Sequence, residues 1–306
     1  MRAAQVLELG SSPVVAEIEG DGALEVVAVA LNPVDLAVAA GRFYGGHPPL
    51  PYVPGCEAVG RRDGARVYAF GDGRGTAKDG FLAERVDSPA ALDAPVPAAL
   101  DDAVAAACGI AGIAGWVPVA TRAPVRPDDR VLVLAATGTV GSVALQAARA
   151  LGAKRVVAAG RDAARLERAR DLGADDTVVL EGDDLADRLR DACGGDGPTL
   201  VVDPLWGGVA PIAAEAAAPN ARIVHVGQSA GPEATLPSSL VRGKQLSILG
   251  HSNFALSHDE RRRAYEELTE HVAAGRIRLE VETFPLDRIA EAWAAQGRGT
   301  KAVVTP

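Results

Sequence analysis

Apolar runs and helical repeats alternate through the middle of the chain. Six short runs rich in Val, Leu and Ala are typical of parallel strands that are buried on both faces. The segments between them carry apolar residues at helical spacing, so the pattern predicts a doubly wound parallel sheet. The predicted strands are Val131–Leu134, Arg155–Ala159, Thr177–Leu180, Leu200–Val202, Arg222–Val226 and Leu246–Leu249, and the predicted helices are Ser142–Leu151, Ala163–Leu172, Asp184–Ala192 and Val209–Ala218.

Both ends of the chain have a different pattern. Before residue 101, short apolar or alternating runs such as Glu25–Leu31 and Arg66–Phe70 are separated by Gly and Pro turns. Closely spaced short strands of this kind predict a partly open β-barrel. An Ala-rich segment with an acidic first turn predicts a helix over Asp101–Trp116. The C-terminal pattern predicts two helices and a strand, at Asp259–Ala274, Leu286–Ala295 and Ala302–Thr305.

Composition narrows the class of protein. A chain of 306 residues is long enough for about two domains, and 48% hydrophobic with 23% charged residues indicates a globular protein. The net charge of −9 argues against nucleic-acid binding, which needs a basic surface. The three cysteines form no CxxC pair, and the N-terminus lacks the pattern of a signal peptide. We therefore expect a soluble cytoplasmic protein without a structural zinc knuckle, a disulfide framework or a membrane span.

The most informative stretch joins the strand Val131–Leu134 to the following helix. Its turn has the spacing A-x-G-x-x-G, and the helix that follows ends at Gly152. A pyrophosphate needs backbone N–H donors and the positive end of a helix dipole, which this arrangement offers. A tight turn without a ligand is the alternative. The residues expected to bind a dinucleotide here are Ala136, Thr137, Gly138, Thr139, Val140 and Gly141.

The end of the second strand bears on the choice of cofactor. NAD-binding folds usually carry an acidic residue there that accepts from the ribose hydroxyl. This chain has Gly160 and then Arg161, with Arg165 one turn later. Guanidinium groups suit a phosphate, so the sequence favours NADPH over NADH. Ordinary charges on a helix surface are the alternative, and the neighbouring Asp162 keeps it open.

Further motifs extend over nearly the whole chain. They are Asn32-Pro-Val-Asp35, Gly41, Tyr44, Pro49-Leu-Pro-Tyr-Val-Pro-Gly-Cys-Glu57, Leu172-Gly-Ala-Asp175, Val202-Asp203, Val226-Gly227 and Lys301-Ala-Val-Val304. In order and spacing the chain resembles the medium-chain dehydrogenases/reductases, and it is most similar to their zinc-independent quinone oxidoreductase branch. The resemblance implies an α/β protein in which residues 1–102 and 251–306 form a GroES-like catalytic domain. It also implies an inserted Rossmann domain over 103–250, an active site in the cleft, and a homodimer formed through the Rossmann sheets.

The resemblance also bears on zinc. Zinc-dependent relatives place Cys, His and Cys at the positions that look equivalent to Asn32, Cys56 and Cys108. Asn is a poor ligand for Zn²⁺, which prefers thiolate, imidazole or carboxylate, so we expect no metal. An unusual metal site that includes Asp35 and Glu57 beside the two cysteines stays open. Two small buried thiols are the plainer interpretation.

Without a Lewis acid, the expected reaction is hydride donation to a quinone or an α,β-unsaturated carbonyl, because conjugation already stabilises the developing enolate. Asn32 and Tyr44 are the candidates, taken from the resemblance, for a hydrogen bond to the acceptor oxygen. A turn at Asn32 and simple packing of Tyr44 are the alternatives. Gly227, His251 and Asn253 are expected to line the cofactor site, as the equivalent stretches do in relatives.

Two other functions remain open at this stage. One is a specialised reductase or dehydrogenase of the same superfamily, acting on an enoyl thioester or an alcohol. The other is a non-catalytic NADPH-binding redox sensor. Neither the natural acceptor nor the pathway can be read from the sequence, because fold analogy does not fix substrate specificity.

Overall fold

The computed structural model describes residues 1–306. The β-strands are β1 (Arg2–Gln5), β2 (Val14–Glu17), β3 (Leu24–Ala30), β4 (Glu57–Arg62), β5 (Ala65–Phe70), β6 (Arg85–Val86), β7 (Asp93–Pro95), β8 (Arg130–Val133), β9 (Arg155–Gly160), β10 (Asp176–Val179), β11 (Leu200–Asp203), β12 (Arg222–His225), β13 (Ser247–Gly250), β14 (Glu282–Pro285) and β15 (Ala302–Thr305). The α-helices are α1 (Pro33–Ala39), α2 (Asp102–Ala107), α3 (Ile113–Val117), α4 (Thr139–Ala150), α5 (Ala163–Asp171), α6 (Leu185–Ala192), α7 (Val209–Ala216), α8 (Ser238–Gly243), α9 (His258–Ala273) and α10 (Ile289–Gly297).

The chain divides into two compact units. Unit 1 contains Met1–Ile113, Leu256–Ala274 and Leu279–Pro306, and unit 2 contains Ala114–Ala255 and Gly275–Arg278. Both boundaries lie later than residues 102 and 250, where the sequence analysis placed them. The first is displaced because α2 packs within unit 1, where the hydroxyl of Tyr265 donates to the carbonyl oxygen of Ala105 at 3.1 Å.

Unit 2 contains a six-stranded parallel sheet in the order β10-β9-β8-β11-β12-β13. All six predicted strands are present, and the predicted doubly wound sheet is confirmed. Its strands form because Val131–Val133, Val156–Ala159 and Leu200–Val202 are fully buried apolar runs. Short helix α8 was not predicted, and it has no buried residue that would give its sequence an apolar face.

Unit 1 contains a mixed sheet in the order β14-β15-β3-β4-β5-β7, with β6 paired to β3 and a separate β1–β2 ribbon. C-terminal strand β15 pairs antiparallel with β3, where Val303 lies opposite Ala30. Both ends of the chain therefore build one sheet, as expected from the resemblance. Strand β14 and helix α1 were not predicted, because each is short and carries a proline.

The apolar helical run over Asp102–Arg122 is irregular. Two π-helical segments, Cys108–Gly112 and Pro118–Arg122, alternate with α2 and α3, and Gly109 has a non-helical ψ of −120°. The run is long and apolar enough to cross a membrane, but 83% of its most apolar window is buried inside the protein. Burial of this extent is typical of a core helix in a soluble globular protein.

Candidate functional site

The glycine loop joins the carboxyl end of β8 to α4 and leaves the first turn of that helix accessible. Gly138 is the N-cap residue of α4, and the residues Thr137–Val140 are only half-buried. The N–H of Ala136 donates to the carbonyl oxygen of Ala159 at 3.0 Å, which ties the loop to β9. The first-turn N–H groups and the helix dipole can therefore bind an anion at this edge of the sheet.

The two glycines of the loop differ in what requires them. A Cβ on Gly141 would lie 2.3 Å from the carbonyl oxygen of Ala135, so the packing of α4 on the loop demands a glycine. A Cβ on Gly138 would meet only that same oxygen, at an ordinary 3.5 Å, and Gly138 has a φ of −89°, which any residue adopts. Protein packing thus does not require Gly138, whereas the close approach of a pyrophosphate would. The loop fits a dinucleotide.

The end of β9 lies beside this loop. A Cβ on Gly160 would lie 3.5 Å from Cγ2 of Thr137, and Arg161 and Arg165 are both exposed. Asp162 caps α5 by accepting the N–H of Arg165 at 3.0 Å, and its carboxylate lies 3.7 Å from the guanidinium of Arg165. Arg161 forms no ion pair, so it is the freer of the two cations to bind a phosphate.

The remaining predicted cofactor residues follow β12 and β13. A Cβ on Gly227 would lie 3.1 Å from the carbonyl oxygen of Pro204, so Gly227 lies against the turn after β11. Nε2 of His251 lies 2.9 Å from Oδ1 of the buried Asn253, and burial lowers the pKa of His251. All of the predicted cofactor residues therefore lie at the carboxyl edge of one parallel sheet, where such sheets bind ligands.

Unit 1 contains a closed polar network around Asn32. The backbone N–H of Asn32 donates to Oδ2 of Asp35 at 2.7 Å at the start of α1. Its side-chain amide donates to the carbonyl oxygen of Ala30 at 3.0 Å and to Oε1 of Glu57 at 2.7 Å. Its amide oxygen accepts from Nζ of Lys301 at 2.8 Å. Asn32 is only 1% exposed, so no donor of its amide is left for a substrate.

Glu57 is the second centre of this network. Its Oε2 accepts from the hydroxyl of Tyr68 at 2.8 Å and from the N–H of Ile110, and its Oε1 lies 3.8 Å from Nζ of Lys301. A Cβ on Gly109 would lie 1.9 Å from Oε2 of Glu57. The kinked helical run therefore approaches this carboxylate only because residue 109 is a glycine.

Burial changes the ionisation of the whole network. Desolvation raises the pKa of Asp35 and of Glu57 against the hydrogen bonds and the ammonium that lower them. For Lys301 the same desolvation acts in the opposite direction and lowers the pKa, because it disfavours the charged ammonium. Both carboxylates oppose this shift. The buried carboxylates depend on Lys301 as their compensating cation, because unpaired charge inside a protein is costly.

The side chains at the positions of zinc ligands are two thiols and an amide. Burial raises the pKa of Cys108 to about 12 and holds the pKa of Cys56 well above its usual range, so both thiols are protonated as long as no metal ion binds them. The oxygen of Asn32 is already bonded to Lys301. No group of three or more His, Cys, Asp or Glu side chains is arranged to hold a metal ion.

Tyr44 lies in a very different environment from Asn32. It is 85% exposed, and its ring packs on Phe43 with the ring centroids 4.4 Å apart. The structure does not bring Tyr44 into the closed network. The catalytic roles of both residues stay predictions, and the geometry favours Tyr44 as the one that can reach a ligand.

The sequence analysis missed the roles of Lys301 and Tyr68. Lys301 was seen only as part of a terminal motif. The sequence did carry a signal for a buried, paired lysine, because Lys301 directly precedes the apolar run Ala302–Val304. That run is fully buried in β15. Tyr68 gave no such signal, since its stacking on Tyr265 at 4.2 Å joins positions far apart in the sequence.

Several known proteins are similar in sequence to this chain. The family model described as zinc-binding dehydrogenase matches residues 139–272. A phenolphthiocerol/phthiocerol polyketide synthase subunit of Mycobacterium tuberculosis is 29% identical over 92% of this chain, but the chain spans only 13% of that subunit. The NADPH-dependent alkenal/one oxidoreductase of Arabidopsis thaliana chloroplasts is 34% identical over 60% of this chain and 51% of its own length.

Solved structures match over the full length of the chain. An NAD-dependent alcohol dehydrogenase has a TM-score of 0.89 and 30% sequence identity, with 100% of both chains covered. The quinone oxidoreductase from Thermus thermophilus, solved also with NADPH, has a TM-score of 0.83 and 28% identity, again with 100% of both chains covered. The similarity therefore extends through both units.

Proposed function

The chain belongs to the medium-chain dehydrogenase/reductase superfamily of oxidoreductases, and on that premise we propose that it is a zinc-independent NADPH reductase acting on a quinone or an α,β-unsaturated carbonyl. The observation that carries the proposal is the glycine loop. Protein packing does not require a glycine at position 138. The glycine leaves an open space at the N-terminus of α4, in the loop that lies beside Gly160. A nicotinamide dinucleotide is the ligand that this superfamily would place there.

The preference for NADPH rests on the end of β9. Gly160 offers no carboxylate to a ribose hydroxyl, and the exposed guanidinium of Arg161 is free to bind a 2′-phosphate. The alkenal/one relative is NADPH-dependent, whereas the alcohol dehydrogenase neighbour uses NAD. The fold alone therefore does not select the cofactor, and Arg161 is the residue expected to do so.

The choice of acceptor follows from the donor atoms in unit 1. An amide that is bonded to Lys301 stands at the first of the three zinc-ligand positions and does not suit zinc, so we propose that no metal ion polarises the substrate. When bound, NADPH would supply the hydride, a conjugated acceptor already stabilises the electron pair that it receives, and a proton from solvent would complete the reduction. We propose that Tyr44 donates a hydrogen bond to the acceptor oxygen, while Asn32 fixes the start of α1 through Glu57 and Lys301.

An enoyl-thioester reductase is the second candidate. The match to a polyketide synthase subunit covers 92% of this chain, which supports this candidate. Both leading candidates donate a hydride to an acceptor that is conjugated with a carbonyl. They differ in whether the acceptor is a quinone or free unsaturated carbonyl compound, or a thioester.

We further propose a homodimer in the reducing cytoplasm. Strand β13 is the edge of the parallel sheet, and Ile248 on it is 38% exposed, so a second copy could pair there. All three cysteines are free and buried, as is usual in a reducing compartment. Light scattering should give twice the chain mass, and Ile248→Lys should give a monomer.

Transfer of label tests the reaction class. NADPH carrying two deuterium atoms at nicotinamide C4 is incubated with the protein and, in separate reactions, a 2-alkenal, a quinone or a 2-enoyl thioester. The proposal expects a reduced product, with one deuterium on the β-carbon of the alkenal or the thioester. Oxidation of a simple alcohol in the reverse direction, with no reduction of conjugated acceptors, would contradict it.

A further inference from the structure

The turn after β11 holds an aromatic residue in a conformation that aromatic residues rarely adopt. Trp206 has a φ of +55°, in the left-handed region. Oδ1 of Asp203 accepts from the N–H groups of Leu205 at 2.8 Å and Trp206 at 2.9 Å, and these two bonds fix the turn. For a bulky residue this conformation is strained, and such strain is concentrated at functional sites.

The loop after β12 holds the same turn from the other side. The N–H of Ala230 donates to the carbonyl oxygen of Leu205 at 2.8 Å, and Oγ of Ser229 donates to the carbonyl oxygen of Pro204 at 3.1 Å. A Cβ on Gly207 would lie 2.4 Å from the carbonyl oxygen of Ala230. The surroundings therefore over-determine the strained conformation, which is how such strain persists in folded proteins.

The ring of Trp206 lies on the ring of His225, with centroids 4.3 Å apart and planes tilted by 33°. Asp203 and His225 are neighbours in register at the ends of β11 and β12. Oδ2 of Asp203 and Nδ1 of His225 are buried and have no hydrogen-bond partner within the protein. Buried polar atoms are rarely left unpaired, so water or a ligand is expected to complete this site.

The order of the strands in the parallel sheet indicates which part of a dinucleotide would lie at the ends of β11 and β12. The pyrophosphate is expected on the glycine loop after β8, and the adenosine half toward Gly160 at the end of β9. In the order β9-β8-β11-β12, the other half of a dinucleotide must then extend over the ends of β11 and β12. These are the strands that end at Asp203 and His225.

We propose that Trp206 contacts the nicotinamide half of the cofactor, and that Asp203 and His225 are positioning residues for its ring. The assignment rests on the proposed function, because it takes the ligand to be a nicotinamide dinucleotide. A half-buried indole with one face on His225 offers its remaining surface to an aromatic ring, and aromatic rings stack favourably.

Fragment calorimetry tests the proposal. Affinities for NADPH and for 2′,5′-ADP, which lacks the nicotinamide half, are measured for the wild-type protein, Trp206→Ala and Trp206→Phe. We expect Trp206→Ala to weaken NADPH binding about tenfold and to leave 2′,5′-ADP binding unchanged, with Trp206→Phe close to wild type. Trp293→Phe, at a buried position in unit 1, is the matched control and should change neither affinity.

Two variants of Asp203 test whether this residue positions Trp206. Asp203→Ala removes the acceptor of both N–H groups and should reproduce the selective loss of NADPH affinity. Asp203→Asn keeps one carbonyl oxygen for them and should restore most of it. NADPH should also quench more of the tryptophan emission in the wild-type protein than in Trp206→Phe, and 2′,5′-ADP should quench neither.

An equal loss of both ligands in Trp206→Ala would overturn the assignment, because the turn would then only support the fold. Unchanged affinity for both would overturn it as well. Absence of NADPH binding by the wild-type protein would instead contradict the proposed function, and the assignment with it. The two failures are therefore distinguishable.

Discussion

The glycine loop of unit 2 and the polar network of unit 1 are opposite kinds of site. At Gly138 the protein has space for a side chain but carries none, and the N–H groups at the start of α4 are accessible. At Asn32 and Glu57 each polar atom is already bonded to another protein group, and solvent is excluded. The open site therefore has donors available for a ligand, whereas the saturated site has none left.

Removal of Lys301 should have the largest effect on stability. Lys301→Met leaves Asp35 and Glu57 without their buried cation, so the free energy of unfolding should fall by about 3–5 kcal/mol in urea titrations. Lys78→Met is the control, because Lys78 pairs with Asp72 at the surface and should leave stability nearly unchanged. A loss no larger than that of the control would show that the network does not hold the fold.

Gly138→Val should weaken cofactor binding and leave stability unchanged, the reverse of what is expected for Lys301→Met. The added side chain occupies the open space of the loop, so NADPH affinity should fall at least 100-fold, about 2.7 kcal/mol, with the melting temperature unchanged. Gly243→Val is the control, since it makes the same change in α8, where a Cβ on Gly243 would meet nothing within 4 Å. If NADPH binds Gly138→Val normally in calorimetry, the loop is not the pyrophosphate site.

Arg161→Ala should have a smaller and more selective effect. Loss of a phosphate contact is expected to weaken NADPH binding about tenfold and to leave NADH binding unchanged. Arg168→Ala, an exposed arginine near the other end of α5, is the matched control. Equal weakening of both cofactors by Arg161→Ala would refute the role in binding the 2′-phosphate.

A rise to alkaline pH should have the smallest effect, a small loss of stability. This loss tests whether the thiol of Cys108 is free or bound to zinc. The pKa of Cys108 in the folded protein is raised to about 12, so its contribution to stability is present below pH 9 and is lost as the pH rises toward 12. Between pH 8 and 9 the loss should be about 0.4 kcal/mol per thiol. Cys108→Ala should remove this loss in urea titrations, whereas a metal-bound thiolate at Cys108 would show no such loss.

Much of unit 2 could be predicted from the sequence, because its strands are continuous apolar runs and its glycine loop is local. The network of unit 1 could not, since Asn32, Glu57 and Lys301 come together only when β15 pairs with β3. The positive φ of Trp206 was invisible for a related reason. Two loops impose it through contacts between residues that are distant along the chain.

Oxidation of NADPH by the metal-stripped protein tests the central claim most directly. After exhaustive chelation, NADPH and NADH are offered in turn with a panel of quinones, 2-alkenals and simple aldehydes. The account predicts turnover of NADPH with quinones or alkenals, slower turnover with NADH, and no gain from added Zn²⁺. Activity that vanishes on chelation and returns with Zn²⁺ would contradict the account, and would make the buried thiols metal ligands after all.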